Sequence, residues 1–201
     1  MFQRMPTVDI ELSLQERMDA AFDNYLKLSR ILEADMTALL DGECEDQHWR
    51  RNFVRSAAAL VEGHAHCLRE MCAVSFECIA PELTKKETDV LRSEESFSAV
   101  ERMKLTLRAA YTLFELVPAP NFGGNEWPKA QRVLLKRHLL MHPKTPSDLE
   151  VSDSLSNDIQ TDIAWLMEQF FNFLSLLQEK HGQPVIPADG LRPPLNSNVS
   201  R

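Results

Sequence analysis

Phe53-Val54-Arg55-Ser56-Ala57-Ala58-Ala59-Leu60-Val61-Glu62-Gly63-His64-Ala65-His66-Cys67-Leu68-Arg69-Glu70-Met71-Cys72 is the stretch that decides the fold of this chain. Phe53, Ala57, Leu60, Val61, Leu68, Met71 and Cys72 recur at the spacing of one helical face. The spacing predicts a long helix from about Asp46 to Cys78, closed before Pro81.

The same period extends to both sides. Upstream, Met18, Phe22, Tyr25, Leu32, Met36 and Leu39 predict a helix over Leu14–Leu40, with Asp41-Gly42 as its stop. The first dozen residues look like an arm. Downstream, Thr84-Lys85-Lys86-Glu87 matches a capping box and predicts a short helix through Leu91. Val100, Met103, Leu107, Ala110, Tyr111 and Phe114 predict another over Ser96–Leu116, followed by a Pro- and Gly-rich loop to Asn125. The next helix is expected over Pro128–Met141, with proline acceptable at its first position. His142-Pro143 closes it, because a residue before proline is pushed out of the α region. A connection from Lys144 to Val151 should hug the surface. The last helix, Asp153–His181, carries Trp165, Phe170, Phe171 and Phe173, which mark it for the core or a dimer interface. The expected fold is all-α, an up-and-down bundle of about five helices over residues 1–182. The segment 183–201, with Pro184, Pro187, Pro193 and Pro194, is expected to be a disordered or loosely draped tail.

Composition narrows the function classes. A chain of 201 residues with 44% hydrophobic and 26% charged content fits one globular domain able to bury a core. Only six glycines argue against an all-β or Gly-rich α/β design. There is no run of about 18 apolar residues, so no membrane partner is expected. Met1-Phe2-Gln3-Arg4-Met5-Pro6 lacks the apolar stretch of a signal peptide, and a cytoplasmic protein is expected. Cys44, Cys67, Cys72 and Cys78 form no CxxC pair, and Cys67 and Cys72 point in different directions along one helix, so buried or half-buried thiols are expected. The net charge of −8 argues against a general nucleic-acid coat. One window runs the other way. From Trp127 to Ser147 there is no Asp or Glu, while Lys129, Arg132, Lys136, Arg137 and Lys144 contribute +5 and leave −13 elsewhere.

Within that window lies Arg137-His138-Leu139-Leu140-Met141-His142-Pro143. Arginine offers a forked donor set to a phosphate, and histidine titrates near neutral pH. Together they are the parts needed to cleave RNA without a metal: a base for the 2′-hydroxyl and a cation for the phosphorane. Five residues turn an ideal helix by roughly 140°, so Arg137 and His142 converge only if His142 sits where the helix unwinds. Helix-end electrostatics is the competing account, since cations in a last turn meet the negative end of the dipole. Arg51, Arg55, Glu62 and His66 form a polar stripe on the earlier long helix. It either lines the same pocket, with Glu62 orienting Arg137 or a histidine, or is a solvated face.

The pattern Arg137-His138-x-x-x-His142 resembles the signature of the HEPN superfamily of all-helical domains. The segment from Trp49 to Gly63, with its basic-aromatic entry and late Glu62-Gly63, is similar to bacterial members, as is Met141-His142-Pro143-Lys144 with Asp148-Leu149. The resemblance covers about residues 14–180, and the helix-end motif is its specific part. It implies a metal-independent endoribonuclease with no cofactor, usually a homodimer whose motifs face each other across the interface. Arg137 would stabilise phosphate, His142 would be the general acid/base, and His138 would tune them. Arg55, Glu62, Lys136 and Lys144 are the residues expected to contact substrate. RNA, an antitoxin or another partner protein are the partners implied. Toxin members often carry a tyrosine two residues after the histidine; here that position is Lys144, so neutralisation by tyrosine modification is not supported. Many members are noncatalytic, so a binding or scaffold protein is the alternative. Metal is a third reading: His138 and His142 stand at i, i+4, with Glu62, His64, His66 and Cys67 on the long helix, but no ExxH occurs at bundle-carboxylate spacing.

Overall fold

A computed structural model describes residues 12–42, 46–77, 82–93 and 96–181. Within them the chain is all-α, a helical bundle of α1 (Leu14–Leu40), α2 (Gln47–Phe76), α3 (Lys85–Arg92), α4 (Ala99–Leu113), α5 (Glu126–Met141) and α6 (Asp153–His181). The arm, the tail, Cys44 and Cys78 fall outside the described residues.

Side chains written into the sequence set the helix ends. Ser13 and Glu16 form a reciprocal capping box on α1, and Thr84 and Glu87 form the one expected on α3. Asp46 accepts from the Trp49 amide at 2.8 Å, and Ser98 caps α4. Helix α4 stops at Leu113, short of the expected Leu116. Its cap residue Phe114 has left helical geometry and Glu115 takes a positive φ of 49°. Helix α5 starts at Glu126, ahead of Pro128, so the proline lies inside the first turn, where its missing N–H has no intrahelical acceptor to lose. The connection after α5 contains a 3-10 turn, Pro146–Leu149, closed by a box between Thr145 and Asp148.

Helix α2 is the hub and packs against each of the other five helices. Its buried residues are not confined to the expected stripe. Val54, Ala58, His64, Ala65 and Cys67 are buried as well, as a helix surrounded by neighbours requires. Phe170 and Phe173 of α6 are both 1% exposed, which puts the aromatic helix in the core. Polar links cross that core: the Tyr25 hydroxyl on α1 lies 2.7 Å from His64 Nδ1, and the Tyr111 hydroxyl on α4 donates to the Gln169 carbonyl on α6 at 3.4 Å. Gly63 lets α1 come close, because a Cβ there would sit 2.4 Å from Leu32 Cδ1. Cys67 and Cys72 are buried free thiols, and burial pushes both up from the ordinary thiol range. No described helix is long and apolar enough to cross a membrane.

Candidate functional site

The last two turns of α5 present two different faces. Arg137 turns toward α2, where its Nη2 meets Glu62 Oε2 at 3.2 Å. Both side chains keep partial access to water, 35% for Arg137 and 29% for Glu62. His138 and His142 are exposed, with ring centroids 5.1 Å apart. His142 caps the helix with φ −132° and ψ 57°, outside the α region as a residue before proline should be. Its amide still donates to the His138 carbonyl at 3.0 Å. No hydrogen bond or ion pair joins Arg137 to either histidine, so within one chain the motif is divided between an inward-facing arginine and an outward-facing histidine pair.

The histidines share their face with two leucines. Leu135, His138, Leu139 and His142 follow i, i+3, i+4, i+7 spacing along one side of α5. Leu135 is 55% exposed and Leu139 42%, with Met141 close by at 50%.

The remaining expected contacts have work inside the fold. Arg55 Nη2 donates to the Leu140 carbonyl at 3.4 Å, which places a cation on an end carbonyl of α5. Arg51 likewise reaches the Leu149 carbonyl at 3.5 Å, so this part of the stripe is half-buried packing rather than a solvated face. Lys136 Nζ donates to the Asp148 carbonyl at 2.9 Å. Lys144 is exposed, and its backbone amide donates to Asp148 Oδ2 at 2.8 Å. Together with the Thr145 amide, that bond holds the Asp148 carboxyl below its ordinary range. The acid-free window is therefore less bare than its composition suggests. Arg132 is claimed by Asp158 at 2.7 Å and Asp162 at 2.8 Å, and Lys129 by Glu126 at 3.3 Å. These acids lie outside the window in sequence and return to it through α6 and the first turn of α5.

Between α2, α4 and α5 lies a cleft of about 330 Å³. Arg137 and Glu62 line it with His66, Arg69 and Arg102. Arg69 and Arg102 were not among the sequence candidates. Arg69 had a signal, since Arg55, Glu62 and Arg69 repeat every seven residues along α2 and stay on nearly one side. Arg102 had none, because only packing brings α4 to this edge. No group of three or more His, Cys, Asp or Glu among the described residues is arranged to hold a metal ion.

No family model, curated protein or solved structure matches this chain.

Proposed function

We propose that this protein is a HEPN-like, metal-independent endoribonuclease that acts as a homodimer through Arg137 and His142. The supporting observation is the outward face of α5, where His138 and His142 alternate with the exposed leucines Leu135 and Leu139. Exposed leucines at helical spacing favour a second surface that buries them. A second copy of α5 laid on this face would place four histidines in one groove, with Arg137 of each chain on its flank. In the reaction, a neutral histidine takes the 2′-hydroxyl proton and the 2′-oxygen attacks phosphorus. The 5′-oxygen leaves with a proton, giving a 2′,3′-cyclic phosphate and a 5′-hydroxyl end. Arginine stabilises the charge that develops on the phosphorane. His142 is the acid/base in this reading and His138 tunes it.

One observation favours a noncatalytic binding protein. Within a chain, Arg137 is tied to Glu62 and not to a histidine. Activity separates the two readings. Arg137→Ala and His142→Ala each abolish cleavage of RNA in EDTA if the site is catalytic. Unchanged cleavage in both variants contradicts the nuclease reading.

A further inference from the structure

We propose that the cleft between α6, the loop after α4 and the first turn of α5 binds a linear aliphatic polyamine. It shares no residue with the site at the end of α5 and does not depend on the reading above. The cleft encloses about 510 Å³, within the range of small-ligand sites. Glu126, Glu168 and Glu179 line it, and no Lys, Arg or His does. Glu126 is shared with Lys129 at 3.3 Å. Glu168 and Glu179 are exposed and have no ion pair or hydrogen bond among the described residues. Cations on neighbouring elements are committed elsewhere: Lys180 to Glu115 at 2.9 Å and to the Phe114 carbonyl, Lys104 over the Phe122 ring. A cleft walled by one sign of charge concentrates ions of the other.

The shape of the cleft sets the ligand class. Trp165, Glu168, Asn172, Ser175 and Glu179 follow one another along one side of α6. Glu168 and Glu179 stand eleven residues apart, close to three helical turns and a rise of about 16 Å. A compact monovalent cation reaches one carboxylate, whereas an extended polyamine carries ammoniums toward both. Its methylenes lie against Leu176 and the wall formed by Pro118 and Pro120, and Trp165 supplies an aromatic ring for an ammonium.

Gln169 adds an acceptor that is independent of the acids. It is 9% exposed, and its Nε2 donates to the Trp165 carbonyl at 3.2 Å. A carbonyl accepts only from N–H, so this bond fixes the amide. Oε1 is left in the wall of the cleft without a partner among the described residues. An ammonium has three donors and no acceptor, so one can satisfy a carboxylate and this oxygen together.

The test is calorimetric titration of the full chain, freed of nucleic acid, with spermidine at near-physiological salt. Putrescine and magnesium chloride are the comparisons. The expected result is saturable binding of spermidine, weaker binding of putrescine, and no displacement of spermidine by magnesium at equal concentration. Glu168→Gln and Glu179→Gln should each weaken spermidine about tenfold. Asp35→Asn, on α1 and not in the cleft, should leave binding unchanged. Both glutamates are exposed, so their replacement spares the core, and circular dichroism checks this. Absence of saturable binding, equal binding of putrescine, or displacement by magnesium would each overturn the proposal. So would a Glu168→Gln or Glu179→Gln variant that binds like wild type, or an Asp35→Asn variant weakened as much as they are.

Discussion

Arg137 on α5 and Glu62 on α2 face each other at 3.2 Å, and this ion pair separates Arg137 from the histidines beside it in sequence. The pair is too open to water to hold the bundle together, since partly exposed ion pairs contribute about 0–1 kcal/mol. Its consequence is directional. Glu62 holds the guanidinium at the wall of the α2–α4–α5 cleft, while His138, on the other side of the helix, and His142, at its C-cap, are exposed. One short helix end thus serves two surfaces.

The structural weight of the basic window falls on Arg132. It holds both oxygens of Asp162, at 2.8 and 3.0 Å, and the Asp162 side chain is only 2% exposed. Arg132→Ala leaves that carboxylate buried without its partner and should destabilise the protein by about 2–4 kcal/mol, somewhat less than a fully buried pair because Arg132 itself is half-exposed. Urea unfolding reads this as a lower midpoint at unchanged slope. An Arg132→Met/Asp162→Leu double variant should recover most of the loss. A midpoint unchanged in Arg132→Ala would show that Asp162 needs no cation.

Gly63 sets the approach of α1 to α2. A single added carbon already meets Leu32, so Gly63→Val should cost about 1–3 kcal/mol as an overpacked contact. Gly63→Ala should cost less, because Leu32 can move its side-chain end and alanine gains about 1 kcal/mol of helix propensity. Thermal unfolding of the two variants checks the order. Equal melting temperatures in both would contradict a tight contact at this position.

The leucines beside the histidines give the dimer a direct check. Wild type should sediment as a dimer at micromolar concentration. Leu135→Glu/Leu139→Glu should sediment as a folded monomer, because both side chains are exposed in the single chain and their loss leaves its core intact. A wild type that remains monomeric, or a double variant that still dimerises, removes this face from the interface.

The helices were legible because their signals are local. Thr84 and the His142-Pro143 stop act within one turn of themselves, and α1 spans the Leu14–Leu40 segment that its spacing predicts. The 3-10 turn was missed although Thr145 and Asp148 stand three apart in capping-box order, because a four-residue element has no apolar period to announce it. The site was legible only in part. Spacing could place Arg137 and His142 on different sides of a helix, and it could list Glu62 in a stripe. It could not show that Arg132 is claimed by two acids from α6, or that Arg102 arrives from α4 to share a cleft with Arg69. Those facts belong to packing between distant segments.

The most direct measurement is to incubate the purified protein with a mixed RNA pool in EDTA and identify the chemistry of any new ends, comparing wild type with His142→Ala. The account predicts 2′,3′-cyclic phosphate and 5′-hydroxyl ends from wild type and none from the variant. A folded wild-type dimer that produces no new ends, or a His142→Ala variant that produces the same ones, would contradict it.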